Sequence, residues 1–215
     1  MPGQVPTVDP HTTSDLRDQF GEIDVYLFDQ FLRGRIRPGM RLLDAGCGEG
    51  RNLVYPLRAG YEVFGCDADG AAIDAMRRLA ARLAPGLPPD NFHVEPIEEM
   101  TFPDAHADAV LASAVLHFAA DDTQFRAMID ECWRVLRPGG MLFTRLASSI
   151  GSERLVRQIA GRRFRLPDGS DRYLVDAPLL EDLTTELGGT LVNPLRTTVV
   201  QNQRSMTTWV VRKPL

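Results

Sequence analysis

The sequence has few cysteines and no long apolar run. Its three cysteines, Cys47, Cys66 and Cys132, have no metal-like spacing, which predicts reduced thiols and excludes a disulfide scaffold or a structural zinc site. The most apolar stretch, residues 109–120, is too short to cross a bilayer. The first 15 residues lack the basic and apolar segments of a signal peptide. We therefore expect a soluble, cytoplasmic protein without a membrane partner.

Positive charge is also scarce. The chain has 24 Lys and Arg against 29 Asp and Glu, a formal net charge of -5. Proteins that bind nucleic acid or anionic membranes in general carry a basic surplus, so the charge argues against both classes. The hydrophobic fraction of 44% and the charged fraction of 25% are those of an ordinary globular protein. A chain of 215 residues suits one domain with a full core.

From residue 40 onward, apolar strand-like runs alternate with helical patterns. The first dozen residues carry three prolines and predict a loose tail, and residues 16–36 predict one helix before Pro38. The expected strands are 41–45, 61–66, 92–95, 109–113 and 141–146, with helices up to 60 and over 71–83 and 123–136. This alternation predicts an α/β fold, a parallel sheet covered by helices, with ligands at the carboxyl ends of the strands.

The C-terminal part breaks the alternation. Asp176 caps a predicted helix, and strand-like runs follow at 190–200 and 206–212. The connection between them is too short for a parallel crossover, so they predict an antiparallel hairpin. Pro56 lies inside the helix expected to end at residue 60 and predicts a kink there.

The most informative segment is the glycine-rich stretch 42–52, between the first strand and the first helix of the alternation. Glycines let the backbone turn sharply and approach a ligand closely. Asp67, at the end of the next strand, is placed to accept hydrogen bonds from ribose hydroxyls. Asp44 and Glu49 would repel a pyrophosphate but attract an ammonium or a sulfonium. Arg51 stands where a dinucleotide loop has its third glycine, which disfavours a nicotinamide-dependent oxidoreductase. The alternative is a tight turn that binds nothing.

At this point the sequence resembles a known family. The run Asp44-Ala-Gly-Cys-Gly-Glu-Gly50 resembles the first motif of class I S-adenosylmethionine-dependent methyltransferases, and residues 65–67, 102–110 and 134–140 are similar to its later landmarks. The resemblance covers about residues 40–146, and the final hairpin matches the family's seven-stranded sheet. It implies a three-layer α/β/α sandwich with a mostly parallel, seven-stranded, Rossmann-like sheet. Residues 48–52 are also similar to the small-molecule and tellurite-resistance branch.

The resemblance also implies a division of the single domain, 1–215. Residues 1–39 would be a tail and a capping helix, 40–147 the cofactor-binding core, 148–175 a lid-like insertion, and 176–215 the last helix and hairpin.

S-adenosylmethionine is the cofactor that the resemblance implies. Asp44 would anchor its methionine ammonium, Asp67 would take its ribose hydroxyls, and the amides of residues 46–48 would line it. The full set of expected cofactor residues is Asp44, Gly46, Cys47, Gly48, Asn52, Asp67, Ala68, Ile97, Glu98 and Ser113. The family often has Asp at the position of Pro96. Either Glu98 replaces that carboxylate, or the adenine amine meets only backbone and water.

Three side chains are candidates for contact with the acceptor. His117 follows the fourth strand and is either a general base, a polar contact to the substrate, or a packed histidine. Tyr26 either closes over the site or is a half-buried packing aromatic. Arg145, late in the fifth strand, should face the acceptor or an acidic neighbour. We find no cluster of side chains that would bind a catalytic metal.

Residues 148–175 carry an arginine surplus in an otherwise acidic chain. The segment contains only three acidic residues but six arginines, which are Arg154, Arg157, Arg162, Arg163, Arg165 and Arg172. Leu155, Val156 and Ile159 predict a short helix, and 164–173 a hairpin that turns at Asp168 and Gly169. As a lid beside the cofactor, the segment would favour an anionic acceptor, with Arg163 among its contacts. The alternative is a solvated face whose arginines pair with nearby acids.

The resulting functional prediction is an enzyme, a monomer or homodimer, that moves the methyl group of S-adenosylmethionine onto a small-molecule acceptor by in-line displacement. Holding the acceptor in line and excluding water can supply much of the acceleration. The alternative is a non-catalytic module of the same fold that only binds the cofactor. The sequence does not identify the acceptor.

Overall fold

The structure is a computed structural model that describes residues 16–215. The expected N-terminal tail lies outside these residues. The helices are α1 (Val25–Leu32), α2 (Val54–Arg58), α3 (Gly70–Leu83), α4 (Asp122–Val135) and α5 (Ala177–Glu186). The strands are β1 (Arg41–Ala45), β2 (Glu62–Asp67), β3 (Phe92–Val94), β4 (Ala107–Ser113), β5 (Leu136–Ala147), β6 (Arg157–Ala160), β7 (Arg163–Arg165), β8 (Asp171–Tyr173), β9 (Thr190–Leu191), β10 (Arg196–Val200) and β11 (Arg204–Arg212). Short 3₁₀ turns occupy Pro89–Asn91, Ile97–Glu99 and Leu116–Phe118.

The main sheet has the order β10-β11-β5-β4-β1-β2-β3. Strands β1 to β5 pair in parallel, whereas β11 pairs antiparallel with both β5 and β10. The two-residue β9 also pairs with β11 and makes the sheet eight-stranded. The predicted fold class, a mostly parallel sheet that ends in an antiparallel hairpin, is confirmed. Because β1 and β4 are neighbours whose chain connections leave in opposite directions along the sheet, a crevice forms at their carboxyl ends.

Two helical layers cover the sheet, since successive strand residues point to opposite faces. Leu43 belongs to a core cluster with residues of α4 and α5, such as Phe125 and Leu180. Its neighbour Leu42 belongs to the cluster on the other face, with residues of α1 and α3, such as Leu27 and Ile73. The three-layer α/β/α arrangement that the resemblance implied is therefore present.

The N-terminal helix is shorter than predicted. Residues 16–20 are helical, but the chain turns at Gly21 (φ 64°). Helix α1 then begins after Asp24, whose side chain accepts hydrogen bonds from the amides of Tyr26 and Leu27. A capping carboxylate followed by an apolar run is a start signal, so the prediction of one helix over 16–36 is wrong because a second start lies inside it.

Three other local predictions also need correction. Pro56 does not kink a helix, because α2 begins only at Val54 and places Pro56 in its first turn, where no intrahelical N–H is required. The run 190–200 divides into β9 and β10. Residues 157–160 form β6 rather than part of a short helix, since the chain reverses at Gly161 and β6 pairs with β7. A helical run this short gains little without such packing.

The predicted hairpin at 164–173 is confirmed. Strands β7 and β8 pair antiparallel, and together with β6 they form a separate three-stranded sheet. The turn contains Gly169 at φ 84°, and the amide of Leu166 donates to the carbonyl of Ser170. This small sheet follows the carboxyl end of β5 and therefore lies on the same side of the molecule as the glycine-rich loop.

Gly46 is a glycine of that loop whose replacement should be costly. Its φ is +75°, and an added Cβ would lie 2.4 Å from Cγ2 of Val115. We expect Gly46→Ala to lose about 1–2 kcal/mol of unfolding free energy from backbone strain and about 1–3 kcal/mol more from overpacking. Urea denaturation measures both.

Gly60→Ala is the matched control, because Gly60 has the same φ of +75° and nothing within 4 Å. It should lose only the backbone part. Adding Val115→Ala to Gly46→Ala should recover the overpacking part. Equal losses for Gly46→Ala and Gly60→Ala would show that the contact with Val115 does not matter.

Candidate functional site

A cavity of about 350 Å³ lies at the carboxyl ends of β1 and β4. The glycine-rich loop forms one side of it and the end of β4 the other. Its walls are Gly46, Cys47, Gly48, Glu49, Arg51, Asn52, Ser113 and Ala114. Five of the ten expected cofactor residues therefore surround one space. We call it the cofactor cavity.

The loop is tied to the end of β2 by its backbone amides. The N–H groups of Gly46 and Cys47 donate to the carbonyl of Cys66, at 2.8 and 2.9 Å. The N–H of Gly48 donates to Oδ2 of Asp67 at 2.9 Å. All three amides are engaged within the protein, and the expectation that they line the cofactor stays a prediction. Residues 46–48 still line the cavity with their other backbone atoms.

Asp67 stands at the centre of this network. Its second oxygen, Oδ1, accepts from the amide of Asp69 at 3.0 Å, and the side chain is half-buried. A carboxylate oxygen has two lone pairs, so each oxygen of Asp67 keeps capacity for a further donor. Asp67 can therefore fix the loop and still accept hydrogen bonds from hydroxyl groups.

Asp44, at the end of β1 and just before the loop, is a buried carboxyl group. It is 1% exposed, and its Oδ1 has no hydrogen-bond partner among the residues described. Burial raises the pKa of Asp44 to about 8, and the nearby Asp67 adds to the rise while Arg51 opposes it. A buried carboxyl with an unpaired oxygen costs free energy. A cation bound beside it would remove that cost.

Asn52 and Arg51 join the loop to the N-terminal segment. The buried Asn52 accepts from the amide of Asp24 at 3.0 Å. Arg51 spans the opening of the cofactor cavity, donating to the carbonyl of Glu22 and to Oγ of Ser113, each at 3.3 Å. Two hydrogen bonds thus hold the N-terminal segment against the glycine-rich loop.

Three of the expected cofactor residues, Ala68, Ile97 and Glu98, do not line this cavity. Ala68 is exposed directly after β2, and Ile97 is 4% exposed within the core beside α4. Glu98 accepts a 2.5 Å hydrogen bond from Nε2 of Gln124, on α4. Gln124 thus holds the carboxylate that was expected to replace the one missing at Pro96. No pattern in the sequence indicated this contact, because Glu98 and Gln124 are 26 positions apart.

A second cavity, of about 420 Å³, adjoins the first and shares Arg51 and Ala114 with it. We call it the acceptor cavity. It lies between the N-terminal segment, the end of β4, the small sheet and the hairpin of β10 and β11. Its walls are Asp24, Arg51, Ala114, His117, Phe118, Arg145, Ala147, Leu166, Asp168, Ser170, Arg172, Arg204 and Met206. Ala114, at the junction, has a φ of 65°, which is uncommon for a residue with a side chain.

His117 lines the acceptor cavity as a neutral hydrogen-bond donor. Its Nδ1 lies 3.3 Å from the backbone amide of Ala147 and must accept from it, so the ring proton is on Nε2. Burial lowers the pKa of His117 to about 4, and the charges of Arg172 and Arg204 act in the same direction. This arrangement suits a donor and not the general base that was one of the sequence alternatives.

Arg145 has an acidic neighbour, which was one of its two expected partners. It lines the acceptor cavity, and its Nη1 lies 2.5 Å from Oδ2 of Asp24, whose side chain is completely buried. The guanidinium also stacks over the Tyr26 ring at 5.2 Å. Tyr26 does not line the cavity, and its hydroxyl lies 2.7 Å from Oγ1 of Thr198. Its observed contacts are those of the packing alternative. Asp24 is the functional residue that the sequence reading missed, although its helix-capping position was a signal.

The arginines of the 148–175 segment divide into two groups. Arg162 pairs with Asp176 at 3.0 Å, Arg165 pairs with Asp171, and Arg163 donates to the carbonyl of Ala119 at 3.3 Å. None of these three lines the acceptor cavity. The paired alternative describes Arg162 and Arg165, whereas Arg163 is half-buried and bound to a carbonyl, so its predicted contact with the acceptor needs correction. Arg172 lies on the wall instead, together with Arg204 from the last strand.

Over residues 16–215, no three His, Cys, Asp or Glu side chains are grouped as a metal site would group them. In the same part of the chain, no helix combines the length and the apolar character that crossing a membrane requires.

Comparison with known proteins gives a consistent family. Residues 43–144 match a family model described as a methyltransferase domain. A ubiquinone biosynthesis O-methyltransferase of Chelativorans sp. (strain BNC1) is 30% identical over 172 residues, which are 73% of this chain and 64% of that protein. The tRNA 5-carboxymethoxyuridine methyltransferase of Escherichia coli (strain K12) is 31% identical over 103 residues, 48% of this chain and 38% of the relative. The chain thus spans less than two thirds of the length of these curated relatives.

Among solved structures, a Burkholderia thailandensis 1,6-didemethyltoxoflavin-N1-methyltransferase with bound 1,6-didemethyltoxoflavin and S-adenosylhomocysteine superposes with a TM-score of 0.68. The match covers 100% of this chain and 94% of that one at 20% identity, so it shows the fold. The similarity to the tellurite-resistance branch stays a prediction.

The pKa of His117 makes stability depend on pH in a specific window. The histidine takes up its proton near pH 6.5 when unfolded but only near pH 4 when folded. The unfolded state therefore binds more protons between these values, and the unfolding free energy should fall as the pH drops from 6.5 to 4, by up to about 1.4 kcal/mol per pH unit.

Urea denaturation of wild type and His117→Asn across this range isolates the effect. Asn cannot titrate and can still accept from the amide of Ala147, so the difference between the two curves belongs to the imidazole. Parallel curves, or an NMR titration that gives His117 a pKa near 6.5, would contradict the assignment.

Proposed function

We propose that this chain, whose residues 43–144 form a methyltransferase domain of the class I S-adenosylmethionine-dependent family, transfers the cofactor's methyl group to a small-molecule acceptor. S-adenosylmethionine is the cofactor of this family. The observation that carries the proposal is the pair of adjoining cavities, about 350 and 420 Å³, that meet at Arg51 and Ala114. A donor in one and an acceptor in the other would face each other across that junction.

The residues around the first cavity fit the cofactor. Asp44 offers an unpaired, buried carboxyl oxygen next to the glycine-rich loop, which suits the methionine ammonium. Asp67 keeps accepting capacity for two ribose hydroxyls after fixing the loop. When bound, the cofactor supplies a methyl group on a positively charged sulfur. The acidic loop favours that charge, whereas it would disfavour a pyrophosphate.

The chain's own residues then have to orient the acceptor and exclude water. Phe118, Leu166 and Met206 give the acceptor cavity an apolar lining, and Nε2–H of His117 offers one directed hydrogen bond. Both carboxylates on the wall are already engaged, Asp24 by Arg145 and Asp168 by Ser170. We therefore assign the chain no obligatory general base. The acceptor atom must already be nucleophilic, and holding it in line supplies the acceleration.

A small acceptor is supported by the size of the cavity and by the charge of the chain. A space of about 420 Å³ is within the usual range for small-molecule sites. The net charge of -5 disfavours a nucleic-acid acceptor. One relative modifies tRNA according to its name, so RNA belongs in any panel of acceptors. The 148–175 segment contributes Leu166, Asp168, Ser170 and Arg172 to the wall, which supports its proposed role as a lid.

Cofactor binding should release a proton at Asp44. The folded protein holds this group protonated below about pH 8, and an ammonium beside it favours the ionised form. We expect S-adenosylhomocysteine to release close to one proton at pH 7, measured by calorimetry in buffers of different ionisation enthalpy. Asp44→Asn should abolish the release and weaken binding by roughly 10- to 150-fold.

Glu49→Gln is the control, because Glu49 is exposed on the same loop. It should keep the proton release and weaken binding only modestly. Equal losses in the two variants would mean that only the diffuse negative charge of the loop matters.

Activity is tested by incubating the protein with cofactor carrying a labelled methyl group and a panel of small nucleophilic acceptors and RNA. We expect label on a small acceptor, with turnover lost in Asp44→Asn. Tight binding of S-adenosylhomocysteine without turnover on any acceptor would favour the alternative, a non-catalytic binding module. Label on RNA alone would overturn the small-molecule proposal.

A further inference from the structure

We propose that the acceptor cavity holds a monoanionic acceptor, an apolar body that carries one carboxylate, and that Arg172 and Arg204 bind this carboxylate. The proposal rests on the proposed function, because the space is an acceptor site only if its neighbour holds the cofactor. It names the substrate class and two specificity-determining residues.

Charge on the cavity wall is the first observation. Four guanidinium groups, of Arg51, Arg145, Arg172 and Arg204, face two carboxylates, of Asp24 and Asp168. The chain as a whole carries -5. A positive cavity wall in an acidic protein concentrates the field where a ligand sits and favours an anion there.

Two of the four arginines have definite tasks within the protein. Arg145 forms the ion pair with the buried Asp24. Arg51 spans the opening of the cofactor cavity, bonded to Ser113 and to the carbonyl of Glu22, and its charge acts on Asp44. Neither is needed to explain how an acceptor is recognised.

The other two have no carboxylate in hydrogen-bonded contact. Arg172 lies over the Phe118 ring at 4.7 Å, and its hydrogen bond goes to the carbonyl of its neighbour Asp171. Arg204 has no hydrogen bond or ion pair with any side chain in residues 16–215, and it is exposed towards the cavity at the start of β11. A planar guanidinium held on an aromatic face is preorganised to bind a carboxylate with two parallel hydrogen bonds.

Asp168 determines which ligand charge the two arginines favour. Hydrogen bonds from Ser170 lower the pKa of this carboxyl group, and the charges of the nearby Arg172 and Arg204 act in the same direction. Its Oδ1 accepts from the amide and the hydroxyl of Ser170, at 2.9 and 2.6 Å. Within the group formed by Arg172, Arg204 and Asp168, one positive charge is left uncompensated. That balance matches a carboxylate better than a doubly charged phosphate.

Two neighbouring arginines of this segment are paired with acids. Arg162 and Arg165 each have an aspartate within the same part of the chain. Arg172, from the same small sheet, has none in contact, and it is the arginine that reaches the cavity. The neutral Nε2–H of His117 adds a further donor on that wall without adding charge, while Phe118, Leu166 and Met206 surround an apolar body.

The test uses matched pairs of neutral and anionic probes. Saturation-transfer NMR measures binding of benzoate, phenylacetate and cinnamate, and of their three carboxamides, to the full chain saturated with S-adenosylhomocysteine. We expect at least one carboxylate to bind roughly 10-fold or more tightly than its amide. Arg172→Gln combined with Arg204→Gln should remove that preference and leave carboxamide binding unchanged.

Arg154→Gln is the matched control, since Arg154 is an exposed arginine of the same segment that does not line the cavity. It should keep the preference. The proposal is overturned if no carboxylate binds, if wild type does not discriminate, or if the double variant discriminates as wild type does. Tighter binding of phenyl phosphate than of benzoate would overturn the monoanion assignment. Calorimetry with S-adenosylhomocysteine distinguishes failure of this proposal from failure of the proposed function, because a cofactor product that does not bind would reject the proposed function itself.

Discussion

The attachment of the glycine-rich loop to the end of β2 is the constraint on which the rest of the site depends. Two amides converge on the carbonyl of Cys66 and a third on the side chain of Asp67. These bonds join the ends of two neighbouring parallel strands and leave the loop no freedom to collapse into the crevice. Gly46, pressed against Val115, ties the same loop to the segment after β4. The shape of the cofactor cavity therefore depends mainly on these backbone amides and their acceptors.

Asp24 performs the corresponding task for the acceptor cavity. This one buried carboxylate begins α1, holds Arg145 against the cavity wall, and its backbone amide is bound to Asn52 of the loop. A buried charge is tolerated only when it is paired and hydrogen-bonded, and Asp24 is both. The N-terminal segment, the last residues of β5 and the glycine-rich loop are thus coupled through a single side chain. A structural change in any of these three segments should therefore alter both cavities.

The sequence predicted the parts that depend on local pattern. Strand alternation, the terminal hairpin, the 164–173 hairpin and the position of the loop follow from periodicity and turn residues, and the structure contains them. The predictions failed where contacts between residues far apart in the chain determine the structure. No residue near Arg163 indicated that it donates to the carbonyl of Ala119. No residue near Arg204 indicated that it lines the same cavity as Arg172. The occupied amides of residues 46–48 were hidden for the same reason, because their acceptors belong to another strand.

A crystal structure of the protein with S-adenosylhomocysteine tests the central claim most directly. We expect the ligand in the cofactor cavity, with its ammonium near Asp44, its ribose hydroxyls on Asp67, and its sulfur directed past Ala114 towards the acceptor cavity. The bonds from the loop to Cys66 and Asp67 should be unchanged. A ligand bound elsewhere, or one that binds only after the loop has left the end of β2, would contradict it.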